Sequence, residues 1–182
     1  AWPRGSRFIR YIDNHDLAHD HPERIETLWG PDAVKAALAL VFTLDGIPML
    51  YNGQEVADAA RHTIFGKCPI DWANGERPAG RERRDLCRRL CALRHAEPAL
   101  TRGDLQWLDN DQPEHVLSFV RSYEGRRLLI VLNLTRESTH ATLSLPASVT
   151  TPSSLMQNGT TIQPGTPLQI EVDAYGYWVG RG

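Results

Sequence analysis

Hydrophobic positions change their period once along this chain, near residue 100. Up to Leu100, short apolar runs alternate with stretches of helical period. Phe8 to Ile12 reads as a short strand that runs into the polar Asp13-Asn14-His15-Asp16. Ala33 to Leu44 is Ala/Leu-rich, and Gly30-Pro31-Asp32 before it supplies a helix start with Pro and an acid in the first turn. Gly46 is a natural stop for that helix. Ile47 to Tyr51 is a second short apolar strand, ending in Asn52-Gly53-Gln54-Glu55. A long loop follows, from Val56 to about Pro78. Arg81 to His95 has Leu86, Cys87, Leu90 and Leu93 on one side and predicts an amphipathic helix, closed before Pro98.

From Leu105 onward the period is two. Val116 to Tyr123 and Leu128 to Leu134 flank Glu124-Gly125-Arg126-Arg127, a hairpin signal. Ala141 to Leu145 alternates and stops at Pro146. Ser153 to Gln157 precedes a predicted turn at Asn158-Gly159, and Leu168 to Val172 and Tyr175 to Val179 complete the set. The expected architecture is therefore α/β for residues 1–98, with buried parallel strands, followed by an antiparallel β-sandwich over 99–182.

Composition excludes more than it assigns. Of 182 residues, 41% are hydrophobic and 23% charged, which is ordinary for a globular chain. A net charge of −2 carries no polyelectrolyte signature, so nucleic acid is not an expected partner. No apolar run reaches the roughly 18 residues needed to span a bilayer, and no signal peptide is evident at the N-terminus. No membrane partner is expected, and compartment is not readable. The chain starts at Ala1 without Met, which suggests a processed protein or a piece of a longer one. Cys68, Cys87 and Cys91 lack zinc-like spacing and read as small buried hydrophobes.

The candidate chemistry lies in the polar segments after the two apolar strands. Asp16 and His15 sit where a strand ends, the place at which α/β barrels carry their active groups. The bland alternative for Asp16 is a helix N-cap or turn residue. Asp13 is either a second site carboxylate or a group that fixes the loop. His15, Asp16, His19, Asp20 and His21 are dense in metal ligands, so a metal-dependent hydrolase is one rival, although the spacing matches no established zinc pattern. Glu55 is either an anchor beside the site or a direct ligand contact. Tyr51 and Trp72 are core aromatics or stacking platforms. The run from Arg81 to Arg94 is most simply a solvated helix face with ion pairs.

Tyr11-Ile12-Asp13-Asn14-His15-Asp16 resembles the fourth conserved region of the α-amylase family, glycoside hydrolase family 13. Gly46 to Glu55 resembles that family's eighth barrel strand. Pro69-Ile70-Asp71-Trp72 is similar to the loop after it, and Arg88 to Arg94 to its last barrel helix. The β half resembles the C-terminal antiparallel domain of these enzymes. The resemblance implies the last two βα units of a (β/α)8 TIM barrel plus that β-domain. It implies Asp16 as the third, transition-state-stabilising carboxylate of a retaining glycosidase or transglycosidase, and His15, Asn14, Glu55 and Arg24 as substrate-binding groups. The implied partner is an α-linked glucan or oligosaccharide. The family's Arg follows its Asp more closely than Arg24 follows Asp16.

The family's nucleophile and acid/base lie on earlier strands, with no counterpart in this sequence. A full barrel needs about 250 residues. The expectation is a fragment, inactive alone, whose open barrel edge promotes self-association. No cofactor is expected in the chain, and the family's calcium belongs to earlier barrel segments of a parent enzyme. The rival from another class is a carbohydrate-binding or interaction module without catalysis.

Overall fold

The computed structural model describes residues 6–21, 23–146, 149 and 153–182 of the chain; Ala1 and Pro22 lie outside the described residues. The chain divides into two compact units, Ala1–Phe42 with Gly46–Ala92, and Thr43–Asp45 with Leu93–Gly182. Among the described residues, no helix is long and apolar enough to cross a membrane.

In the first unit, strands β1 (Ile9–Arg10) and β2 (Ile47–Pro48) pair in parallel, with Ile9 opposite Ile47 and Arg10 opposite Pro48. The Ile47 and Met49 amides donate to the Phe8 and Arg10 carbonyls, each at 2.8 Å. Both strands are shorter than their apolar runs, and Pro48, whose missing N–H falls between these two donors, takes nothing from the pairing. Gly46 (φ +98°) makes the approach possible: a Cβ there would lie 2.4 Å from the Phe8 carbonyl oxygen.

Three helices fill the crossover: α1 (His15–Asp20), α2 (Ile25–Leu28) and α3 (Pro31–Thr43). In α3, Pro31 and Asp32 occupy the first turn, and Val34, Leu38, Val41 and Phe42 are buried at helical spacing. After β2 come two 3₁₀ turns, Gln54–Val56 and Trp72–Glu76, and then α4 (Pro78–Ala96). The basic run on α4 is not wholly a solvated face. Arg83 is buried, paired through both terminal nitrogens with Glu26 of α2, and a second set of contacts reaches the Pro31 and Gln54 carbonyls. Its neighbours Arg81, Arg88 and Arg89 are exposed.

The second unit opens with α5 (Pro98–Arg102) and continues as a six-stranded antiparallel sheet: β3 (Asp104–Trp107), β4 (Val116–Tyr123), β5 (Arg126–Asn133), β6 (Thr139–Leu143), β7 (Ser153–Gln163) and β8 (Leu168–Arg181). The β4–β5 hairpin closes through Glu124 (φ 47°) and Gly125 (φ 80°), both left-handed as a type I′ turn requires. The 14-residue β8 joins the sheet: its C-terminal part pairs with β5, its N-terminal part with β6, and both with β7. Val120, Leu129, Val131 and Trp178 thereby share one core with Ala141, Leu143, Leu168, Ile170 and Val172.

Two expected breaks are bulges instead. Asn158-Gly159 does not end a strand but sits inside β7, at a register shift between Asn158 and Thr160. The expected gap between Val172 and Tyr175 is likewise inside β8. Facing the Gly159 bulge, Asp173 to Gly176 loop out. The Tyr175 amide donates to the Thr135 carbonyl at 3.1 Å, and Asn133 Nδ2 donates to the Asp173 carbonyl at 3.1 Å. The displaced backbone is thus satisfied laterally rather than by the ladder.

The cysteines separate by environment. Cys87 is buried, Cys68 is half-buried and Cys91 is exposed, so the expectation of three buried residues holds only for Cys87. Burial pushes the Cys87 thiol up to about 11, which keeps it protonated and unreactive near neutral pH. In the native protein, Ellman's reagent should therefore titrate Cys91 readily and Cys87 only after denaturant is added. Equal labelling of all three without denaturant would contradict the buried position of Cys87.

Candidate functional site

Parallel pairing of β1 and β2 sends both following segments out at the same end of the pair. His15 and Asp16 therefore share one rim with the segment that follows β2. The segment from His15 to Asp20 is helix α1. Asn14 is its N-cap: its Oδ1 accepts the Leu17 amide at 2.9 Å, and Asp16 lies in the first turn, where a negative charge is favoured. This capping leaves His15 and Asp16 pointing outward. Both side chains are 68% exposed, and His15 Nε2 lies 3.2 Å from Asp16 Oδ1.

Asp13, three residues away, has the opposite environment. It is buried; one carboxylate oxygen accepts the Asn14 amide at 2.9 Å and the other accepts Arg24 Nε at 3.1 Å. Of its two expected roles, Asp13 occupies the loop-fixing one. Arg24 is equally buried, with Nη2 at 3.0 Å from the same Asp13 oxygen and Nη1 at 3.7 Å from Asp58 Oδ2. Its guanidinium also lies over the Tyr51 ring, 5.3 Å from the centroid.

The cluster continues through the segment after β2. Asp58 is buried, within 3.1 Å of His62 Nε2, and its other oxygen accepts the Asp71 amide at 3.3 Å. Arg24 Nη1 lies 3.1 Å from His62 Nδ1, and the Tyr51 hydroxyl is 3.5 Å from that same nitrogen. One guanidinium thus joins the segment after β1 to the segment after β2. Tyr51 belongs to this cluster, while Trp72 is exposed.

Glu55 is half-buried beside the cluster, and its Oε2 accepts the Gly53 amide at 3.0 Å. That bond supports the left-handed Gly53 (φ 92°), whose Cβ position would fall 3.0 Å from the Asp58 side chain. The arrangement brings Asn14, His15 and Asp16 together on one capped helix start. It places Arg24 behind them, in contact with Asp13 rather than at the surface. Asp58 and His62 were not singled out from the sequence: they lie four residues apart in a segment without helical period, and nothing local marks them as partners of Arg24. Among the described residues, no group of three or more His, Cys, Asp or Glu is placed to hold a metal ion.

Removing one member of a buried ion cluster leaves an uncompensated charge. Arg24→Met should destabilise the chain by about 3–5 kcal/mol, read from urea unfolding. Arg24→Lys should recover only part of this, since an ammonium cannot span two carboxylates as a fork does. Combining Arg24→Met with Asp58→Asn should cost less than the sum of the two single changes; strict additivity would show that the groups are not coupled.

Comparison with known proteins agrees with this architecture. Residues 105–179 match the family model of the maltogenic amylase C-terminal domain. Neopullulanase 2 of Thermoactinomyces vulgaris is 29% identical over 139 residues, covering 75% of this chain and 23% of that protein. The α-amylase MalA of Haloarcula japonica is 30% identical over 152 residues, covering 81% and 20%. Among solved structures, the maltogenic α-amylase AmyB of Thermotoga neapolitana superposes with a TM-score of 0.77 at 23% identity, over 100% of this chain and 42% of that one. This chain thus spans about a fifth to a quarter of the length of the curated relatives it matches. The ordered motifs, the fold and these matches identify the chain with the C-terminal part of the α-amylase family, glycoside hydrolase family 13.

Proposed function

We propose that this chain is the C-terminal part of a retaining α-glucan-active glycosidase or transglycosidase, in which Asp16 is the transition-state-stabilising carboxylate. Residues 1–98 are then the last two βα units of a TIM barrel, and residues 99–182 its sandwich-like C-terminal domain. The observation that carries the reading is the contrast between two carboxylates three residues apart. Asp13 is buried on Arg24, whereas Asp16 is exposed at the strand-end rim with His15 beside it.

The chemistry follows from that contrast. Retaining cleavage of a glycosidic bond develops positive charge on the sugar, between a nucleophile and an acid/base about 5 Å apart. A third carboxylate whose charge is not already neutralised by a cation can grip sugar hydroxyls and strengthen that grip as charge develops. His15 adds a directional N–H donor to the same sugar. Asn14 contributes through its cap, which sets the direction of both side chains. Arg24 acts through Asp13 and Glu55 through Gly53, as positioning groups. Nucleophile and acid/base come from earlier strands of the parent enzyme, so the isolated chain is inactive.

In the full-length enzyme, Asp16→Asn should lower kcat on maltooligosaccharides by about a thousandfold, with a smaller change in KM. The isolated 182-residue chain should release no reducing ends from the same substrates. Activity of Asp16→Asn within tenfold of wild type, or hydrolysis by the isolated chain, would sink the assignment.

The same reading has a physical consequence for the isolated chain. Phe8, Ile9, Tyr11 and Ile47 are 42–58% exposed around β1 and β2, where neighbouring barrel strands would cover them. Light scattering of the isolated chain should show mass rising with concentration, as two copies cover these residues. A monomer of constant mass across the concentration range would count against an open barrel edge.

A further inference from the structure

We infer that Phe65 is a sugar-stacking platform, seating a glucose unit next to the one held by His15 and Asp16. This rests on the function proposed above and extends it to a residue outside the family motifs. Phe65 is 84% exposed, and Ile64 beside it is 59% exposed, on the segment after β2. An aromatic ring left so open forgoes the burial that normally stabilises it. The ring is nevertheless not loose. It meets the His19 ring edge to face, with centroids 5.1 Å apart and planes at 77°, and its backbone amide donates to Thr63 Oγ1 at 3.2 Å.

The location of His19 gives this contact its meaning. His19 is on α1, four residues after His15 and three after Asp16, so it lies about one turn on along the same side of the helix. Phe65 therefore meets α1 about one helical turn from the Asp16–His15 pair. His19 Nδ1 is buried without a hydrogen-bond partner, so at that nitrogen ring contact, rather than a polar bond, sets its seat. The C–H face of a pyranose is apolar while its hydroxyls point outward around the ring. A rigid exposed aromatic next to polar groups that grip hydroxyls matches that division. A chain of sugars anchored at Asp16 would pass its next unit over the Phe65 ring.

The test uses the full-length enzyme with maltooligosaccharides of increasing length, comparing Phe65→Ala, Phe65→Trp and wild type. Phe65→Ala should raise KM about five- to tenfold on substrates long enough to reach the platform, with kcat changed much less. The shortest substrate that still occupies the Asp16 position should be affected least. Phe65→Trp, which retains a stacking face, should restore KM. An unchanged KM on all lengths, or a length-independent loss accompanied by a lower melting temperature, would overturn the platform, because Phe65 would then be idle or a packing residue. Wild-type enzyme inactive on every α-glucan would instead overturn the proposed function, and the platform with it.

Discussion

The first unit depends on the placement of one buried cation between two carboxylates. Arg24 reaches Asp13 on one side and Asp58 on the other, and all three are withdrawn from water. Charges so buried tolerate no loose geometry: their desolvation is offset only when each has its partner in place. The constraint passes outward from there. Asp13, held by Arg24, takes the Asn14 amide on its free oxygen; Asn14, so held, caps α1; α1 then presents His15 and Asp16 to solvent. The rim is therefore oriented by a cation that does not itself lie on it.

The same device recurs where the chain leaves regular structure. Arg24, Arg83 and Arg121 are among the largest fully buried side chains of the described residues. Arg83 holds Glu26 and reaches the carbonyls of Pro31 and Gln54. Arg121 donates to the carbonyls of Thr43, Leu100 and Gly103 at 2.8–3.2 Å. The Thr43 and Leu100 carbonyls lie in the last turns of α3 and α5, where a helix no longer supplies amide donors of its own, and a guanidinium with five donors can serve several acceptors at once. Arg121 thus does at two helix ends what capping residues would otherwise do, while Arg24 and Arg83 tie carboxylates from separate segments.

What the sequence made legible follows from the range of each interaction. The α3 helix, the Glu124-Gly125 hairpin and the β4–β5 pair rest on local period and local turn chemistry, and each formed where its pattern lay. After β1 the sequence allows a helix start with Asp16 as its cap, but the cap is Asn14, two residues earlier. Asn158-Gly159 carries a turn signal, but the facing loop of Asp173 to Gly176 on β8 absorbs it as a bulge, and that loop is 14 residues downstream. Arg83 falls on the buried face of α4 with Leu86, Cys87 and Leu90, three, four and seven residues on, but its partner Glu26 lies 57 residues away. Arg24 likewise finds His62 across 38 residues. Pairings of that span leave no periodic trace.

The contrast between Asp13 and Asp16 then acquires an energetic sense. A carboxylate already neutralised by a guanidinium gains little from a developing positive charge, because its field is largely cancelled at short range. Asp16 keeps its field, but in water that field is weak. Coulomb attraction at about 4 Å is worth roughly 1 kcal/mol in bulk water and about 4 kcal/mol near a partly enclosed protein surface. On the proposed reading, the earlier strands and a bound glucan would enclose Asp16 and raise the value of its charge at the moment the sugar becomes cationic. On that reading, burying Asp13 and leaving Asp16 open until substrate arrives avoids a standing desolvation cost at the rim. It is also why Asp16 on an isolated segment has little to stabilise.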